Sequence, residues 1–107
     1  MNIKWSDDAR QTWNESFEYC IENYGKHFAQ KLLKILERKT NSLAVFPESG
    51  SPMQMLNTDT YNYRSITLYK DYKIIYRVDY SNDYVFIVNI LNMRMSYETM
   101  QEIISGK

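Results

Sequence analysis

With 107 residues, 44% of them apolar, the chain has the length and composition of one domain around one hydrophobic core, and disorder is not expected. Its apolar runs fall far short of the roughly 20 residues that cross a bilayer, so no membrane span is expected. The formal net charge is zero, so no global positive field points to a nucleic-acid binder.

The opening Met1–Trp5 has one basic residue and no apolar stretch behind it, unlike a secretory signal. The single cysteine, Cys20, cannot close an internal disulfide, which fits a reducing compartment. A cytoplasmic protein is therefore expected. Ile3 to Trp5 alternates apolar and polar residues, the pattern of a short edge strand. Ser6 reads as an N-cap, and Asp7 and Asp8 follow it in the first turn, where a helix dipole favours anions. Ala9, Trp13, Phe17, Cys20, Ile21 and Tyr24 then recur at helical spacing, which predicts a helix ending at Gly25. On that stripe Cys20 is read as packing rather than as a nucleophile, and Trp13 and Phe17 as core. A second helix starts near Lys26, with Phe28, Ala29, Leu32, Leu33, Ile35, Leu36, Leu43 and Ala44 on its apolar side. The only histidine, His27, sits at its start and reads as a solvated helix residue. A tight turn between the two helices makes an antiparallel hairpin.

Phe46-Pro47-Glu48-Ser49-Gly50-Ser51-Pro52 is punctuated as a loop, and Met53–Thr60 as an irregular connection. The period then changes from helical to two. Strands are predicted over Tyr61–Tyr69, around Tyr72–Asp79 and over Tyr84–Leu91, with Ser81-Asn82-Asp83 as a turn. In the second, Tyr72, Ile74, Tyr76 and Val78 face one way and Lys73, Ile75, Arg77 and Asp79 the other. The third is apolar on both faces, as in an interior strand. These three form an antiparallel meander. Ser96 reads as the cap of a short last helix with Met100, Ile103 and Ile104 on its apolar side. The chain is thus expected to be a single α+β domain over residues 1–107. Six of its ten tyrosines lie between Tyr61 and Tyr80, a residue that suits strands and binding surfaces alike. The basic excess also lies in this half, where Arg64, Lys70, Lys73, Arg77 and Arg94 face only Asp71, Asp79 and Asp83.

Five phrases carry a resemblance. They are Ile3-Lys4-Trp5-Ser6 with Ala9; Leu43 to Pro52 with its Phe-Pro-Glu, Gly and Pro; Tyr63-Arg64-Ser65-Ile66; Tyr72-Lys73-Ile74-Ile75-Tyr76-Arg77-Val78; and Ile90-Leu91-Asn92-Met93-Arg94. In this order they resemble the RelE/ParE superfamily of toxins from bacterial type II toxin–antitoxin systems. The resemblance implies a growth-inhibiting toxin neutralised by a cognate antitoxin in a hetero-oligomer, without cofactor or metal, of the kind that also stabilises plasmids. ParE-like members inhibit DNA gyrase; RelE-like members cut messenger RNA on the ribosome. The Phe-Pro-Glu-Ser-Gly-Ser-Pro phrase and the weak positive charge favour the ParE-like branch, with the ribosome-dependent endoribonuclease and a non-toxic binding module of the same fold as alternatives.

Metal-free RNA cleavage needs a base for the 2′-hydroxyl, an acid for the leaving oxygen and cations at the developing charge. Carried over from nuclease members, the catalytic positions would be Arg64, Lys73, Arg94 and Tyr97. Lys73 stands where arginine is usual, and Tyr97 matches the terminal aromatic only after a shift. Arg64, Lys73, Arg77 and Arg94 would be the partner-binding residues, meeting an acidic antitoxin tail laid over the helix hairpin and the meander. Arg94, at the end of an interior strand with no acid close in sequence before Glu98, need not be a locally paired structural charge and is expected to be functional.

Overall fold

The structure, a computed structural model, describes residues 1–105. In chain order it has β1 (Asn2–Trp5), α1 (Asp7–Tyr24), α2 (Lys26–Val45), β2 (Ser51–Pro52), a 3-10 turn (Gln54–Leu56), β3 (Arg64–Tyr69), β4 (Tyr72–Asp79), β5 (Tyr84–Asn92) and α3 (Tyr97–Ile104). The strands form one sheet in the order β1-β5-β4-β3-β2. All neighbours are antiparallel except β1 and β5, which run parallel. This is the expected α+β arrangement of edge strand, helix hairpin, meander and terminal helix. None of the described helices is long and apolar enough to cross a membrane.

The helix boundaries follow from local chemistry. The Ser6 hydroxyl accepts from the Ala9 amide at 2.9 Å, and the Ser96 hydroxyl accepts from the Thr99 amide at 3.1 Å. Gly25 ends α1 and begins α2 as a single residue at φ 89°, a conformation that L side chains rarely adopt. A Cβ there would touch nothing within 4 Å, so its requirement is backbone freedom and not space.

Both long helices cover one face of the sheet. Ala9, Leu32, Leu36 and Leu43 pack on Leu68, Ile74, Tyr76, Val85, Ile87 and Ile90. On the other face Met100 of α3 closes a smaller cluster with Leu56, Tyr63, Ile75 and Leu91. Thus β4 feeds Ile74 and Tyr76 to one core and Ile75 to the other, as the alternation predicts.

The strand β5 does the same through a bulge. Ile75 pairs with Asn89 and Tyr76 with Ile87, so Val88 is an extra residue. That insertion places Ile87 and Ile90, three apart, on the helix side and Val88 and Leu91 on the other. The bulge also receives α1. The Ser6 amide donates to the Ile87 carbonyl at 2.9 Å, and the Ser6 hydroxyl donates to the Val88 carbonyl at 2.6 Å. The Thr12 hydroxyl donates to Oδ1 of the buried Asn89 at 2.9 Å.

Three expectations are corrected. The first meander strand starts at Arg64 and not at Tyr61, because side chains claim the preceding amides. The Thr58 hydroxyl takes Thr60 and Tyr61, and Asn57 Oδ1 takes Tyr63. Ser51–Pro52, expected as loop, pairs with Ser65 and Arg64 as a two-residue edge strand, and proline there blunts the edge. Trp13 and Phe17 are half-buried, their rings tilted against each other at 5.6 Å, and Tyr24 is 62% exposed, so the α1 stripe is only partly core.

Ser6 therefore combines two jobs, capping α1 and pinning it to the bulge. Ser6→Ala should cost about 1–2 kcal/mol, the upper range for an N-cap. In thermal melts this should lower Tm by about 4 °C or more per kcal/mol; an unchanged melt would mean that the cap and the pin are redundant.

Candidate functional site

The phrase Phe46 to Pro52 is organised by one phenol. Tyr76, on the interior strand β4, is fully buried. Its hydroxyl donates to the Pro47 carbonyl at 2.7 Å and accepts from the Gly50 amide at 2.9 Å. A Cβ on Gly50 would lie 2.5 Å from that hydroxyl and 2.7 Å from the Ser65 carbonyl, so only glycine fits. Arg64 closes the same loop. Its Nη1 donates to the Gly50 carbonyl at 2.8 Å and the Glu48 carbonyl at 3.2 Å. The Glu48 side chain in turn accepts from the Tyr80 hydroxyl, which raises that phenol's pKa. Burial raises the Tyr76 phenol too, against the opposing effects of the Gly50 amide and the Arg64 charge.

The basic residues singled out in the sequence do not converge. Residues opposite one another in adjacent strands share a face. Arg64 pairs with Tyr76 and so lies on the helix side. Lys73 and Arg77 alternate with Ile74 and Tyr76 and lie on the other side. They are four residues apart on one strand, about 13 Å at 3.3 Å per residue.

Arg94 lies at the corner after β5. Its Nε reaches the Asp71 carboxylate at 2.9 Å, and the Met93 amide donates to the Asp71 carbonyl at 2.8 Å. Arg94 is thus paired, though not locally: its partner comes from the β3–β4 turn, distant in sequence. The pair is open to solvent, with 82% of the Arg94 side chain accessible, so it contributes about 0–1 kcal/mol. Tyr97 is the first residue of α3 and 48% exposed. His27 is exposed near the start of α2. Among the described residues no three His, Cys, Asp or Glu side chains gather to hold a metal ion.

What the structure does build is an aromatic cleft of about 680 Å³ between the helix hairpin and the β3–β4 turn. Trp13, Tyr19, Tyr24 and Phe28 form its helical wall, and Tyr69 and Tyr72 its sheet wall. The rings are linked, Tyr24 tilted on Phe28 at 5.6 Å and Phe28 edge to face with Tyr69 at 5.7 Å. Cys20 also lines the cleft, with burial raising its thiol pKa. Lys70 stands on the rim with its backbone in the left-handed region, at φ 51°. A non-glycine residue held so costs of order 1–3 kcal/mol and marks a place where position outranks comfort. Sequence reasoning took Tyr24 and Phe28 for packing residues and missed Tyr19 altogether. The available signal was an α1 apolar stripe with more aromatic residues than one helix partner can cover.

Compared with known proteins, the chain matches over residues 3–97 the family model described as ParE toxin of type II toxin-antitoxin system, parDE. Among solved structures it is similar to one titled "Chromosomal ParDE TA system from P. aeruginosa", with a TM-score of 0.68 and 17% sequence identity, over 88% of this chain and 97% of that one. At that identity the likeness is one of fold. No curated protein matches.

Tyr76→Phe would strip the Pro47 carbonyl and the Gly50 amide of their partner and should cost about 1–3 kcal/mol. Because the folded phenol ionises above the ordinary value of 10.0, the unfolded chain loses its proton first. The stability tied to Tyr76 is then fully present below pH 10 and lost as pH rises through the folded value. Melts of the two proteins should therefore differ most near neutrality and draw together above pH 10; a constant gap would show that the phenol does not hold the loop.

Proposed function

The chain belongs to the ParE toxin family of type II toxin–antitoxin systems, and from that premise we propose that it arrests growth by inhibiting DNA gyrase and is silenced by an antitoxin segment lodged in the aromatic cleft. The cleft carries the reading. Six aromatic rings line it, and Tyr19 and Tyr24 are more than half exposed. A patch of this kind on a small protein suits a protein partner. The occupant is an amphipathic segment that orders on binding, apolar toward Trp13 and Phe28 and acidic toward Lys70. Lys73 and Arg77 lie on the opposite face of the sheet, so a segment over the helix hairpin meets Lys70 instead of them.

Inhibition by binding is favoured over RNA cleavage by the same geometry. Arg64 spends Nη1 on loop carbonyls and lies on the helix side of the sheet, whereas Lys73 lies on the other side. General acid–base cleavage needs its groups within hydrogen-bond reach of one phosphodiester, and these residues are spread over two faces. The toxin function assigned to Arg94 is a contact with the target, made from a corner fixed by β5.

Expression of the chain alone should halt growth, and its purified form should block supercoiling by gyrase while messenger RNA stays whole. Arrest with cut messenger RNA and normal supercoiling would replace the gyrase reading by the nuclease reading; normal growth with soluble protein would remove both. Arg94→Ala should lose toxicity with a melt within about 0.5–1 kcal/mol of the parent, since the lost pair is exposed. A folded and fully toxic Arg94→Ala protein would take Arg94 out of the contact.

The cleft has its own test. Tyr19→Ser with Tyr24→Ser should keep the chain toxic but make co-expressed antitoxin fail to rescue growth. Undiminished rescue would place the antitoxin elsewhere.

A further inference from the structure

The face of the sheet opposite the helix hairpin carries a second set of rings and charges. Here Lys4 of β1, Phe86 of β5 and Arg77 of β4 lie side by side, because Lys4 pairs with Phe86 and Phe86 with Arg77. At about 4.8 Å per strand the two cations flank the ring about 10 Å apart. The Arg77 guanidinium carbon is 4.0 Å from the Tyr61 ring centroid and 4.7 Å from that of Phe86. The Lys4 amine is 4.4 Å from the Tyr84 centroid. Tyr84 and Phe86 are themselves 6.3 Å apart, edge to face. Lys4 is exposed, Tyr61 is 42% exposed, and Arg77, Tyr84 and Phe86 are half-buried.

Among the described residues, Arg77 and Lys4 take part in no ion pair, and the Arg77 guanidinium makes no hydrogen bond. The nearest acid along the strand, Asp79, has its main partners in the β4–β5 turn; hydrogen bonds from Asn82 there, and to a lesser degree the Arg77 charge, lower its pKa. Its carboxylate accepts from the Asn82 amide at 3.1 Å and from Asn82 Nδ2 at 2.9 Å, closing the β4–β5 turn. A guanidinium packed on rings keeps its in-plane N–H fork free, which is the geometry that takes a carboxylate bidentately. The rings fix the side chain in advance, so little rotamer entropy remains to be lost on binding.

We infer that this row is a second docking site, on the face away from the cleft, for an acidic segment of a partner protein. Two carboxylates of the segment pair with Lys4 and Arg77, and an apolar or aromatic side chain between them lies on Phe86 and Tyr84. Charge complementarity selects a protein segment over a nucleic acid. A phosphate backbone calls for a track of cations, whereas this row holds two and ends near Asp79 and Asp83. The inference does not depend on which target the toxin has or on where its antitoxin binds.

The test uses the full chain labelled with nitrogen-15 and the hexapeptide acetyl-Glu-Tyr-Glu-Val-Tyr-Glu-amide, with a dodecamer of deoxythymidine as the rival probe. The peptide should shift the amides of Lys4, Arg77, Tyr84 and Phe86 and the Arg77 Nε signal, and should weaken in high salt. Arg77→Gln should reduce affinity about fivefold, the worth of one well-formed exposed pair, while Lys31→Gln on the outer side of α2 should leave it unchanged. Peptide shifts falling elsewhere on the wild-type chain would overturn the site whether or not the variant folds. So would a folded Arg77→Gln protein of unchanged affinity. Tighter binding of the oligonucleotide at the same residues would overturn the acidic-segment assignment in favour of a nucleic acid.

Discussion

A single buried hydroxyl holds the two halves of this chain in register. Tyr76 has no accessible surface, yet its phenol carries both a donor and an acceptor that must be satisfied. Both partners, Pro47 and Gly50, belong to the loop that leads from α2 to the meander. The loop is therefore not a slack connector. Its proline ends the helix path, its glycine admits the ring, and its carbonyls anchor Arg64, which sets where β2 meets β3. The Phe-Pro-Glu-Ser-Gly-Ser-Pro phrase makes sense around two side chains of the sheet: Pro47 and Gly50 answer to the Tyr76 hydroxyl, and Glu48, Gly50 and Pro52 to Arg64.

A second constraint, the bulge at Val88, fixes the other end of the helix hairpin. A strand that buries both faces has to divide its side chains between two cores, and strict alternation would keep Ile87 and Ile90 apart. The extra residue brings them to the same core and frees the Val88 carbonyl for Ser6. With α1 pinned at the bulge and α2 pinned through the loop at Tyr76, the hairpin is held where it starts and where it ends. Its middle, around Gly25, is the part farthest from these pins, and the aromatic cleft lies toward that end. A binding wall with accessible rings is thus placed where the packing is least committed, which agrees with the general association of recognition with the less stable parts of a fold.

What could be read from sequence divides along physical lines. Ser6, Gly25 and Ser96 act through hydrogen bonds to residues within a few positions, or through their own backbone, so their roles were visible as local patterns. The same holds for the alternation in β4, because one strand carries its whole period. The start of β3 was misjudged through nearby side chains, Asn57 and Thr58, but two other features depend on a partner distant in sequence. Ser51–Pro52 is a strand only because β3 lies beside it, and Arg94 is paired only because the β3–β4 turn brings Asp71 to its corner. Likewise Arg64, Lys73 and Arg77 read as one basic set along the chain. Antiparallel pairing puts Arg64 with Tyr76 on the helix side and leaves the other two behind the sheet. Period and register together decide the face, and register was not written locally.

That division of charge has a consequence for how such a small protein can meet more than one partner. On the helix side Arg64 is consumed by the loop, so recognition there falls to rings, with Lys70 as the cation on the rim. On the far side Arg77 is supported by rings and, among the described residues, held in no ion pair, so recognition there is led by charge. The two surfaces share β4 but present opposite faces of it, with Ile74 and Tyr76 directed to one side and Ile75 and Arg77 to the other. A segment filling the cleft would not sterically cover the Arg77 row. Any silencing of one face by a ligand on the other must then pass through the strand itself or through a partner large enough to wrap the sheet edge. The short, proline-bearing β2 protects one edge from added strands, whereas β1 leaves the other edge as the natural path around the sheet.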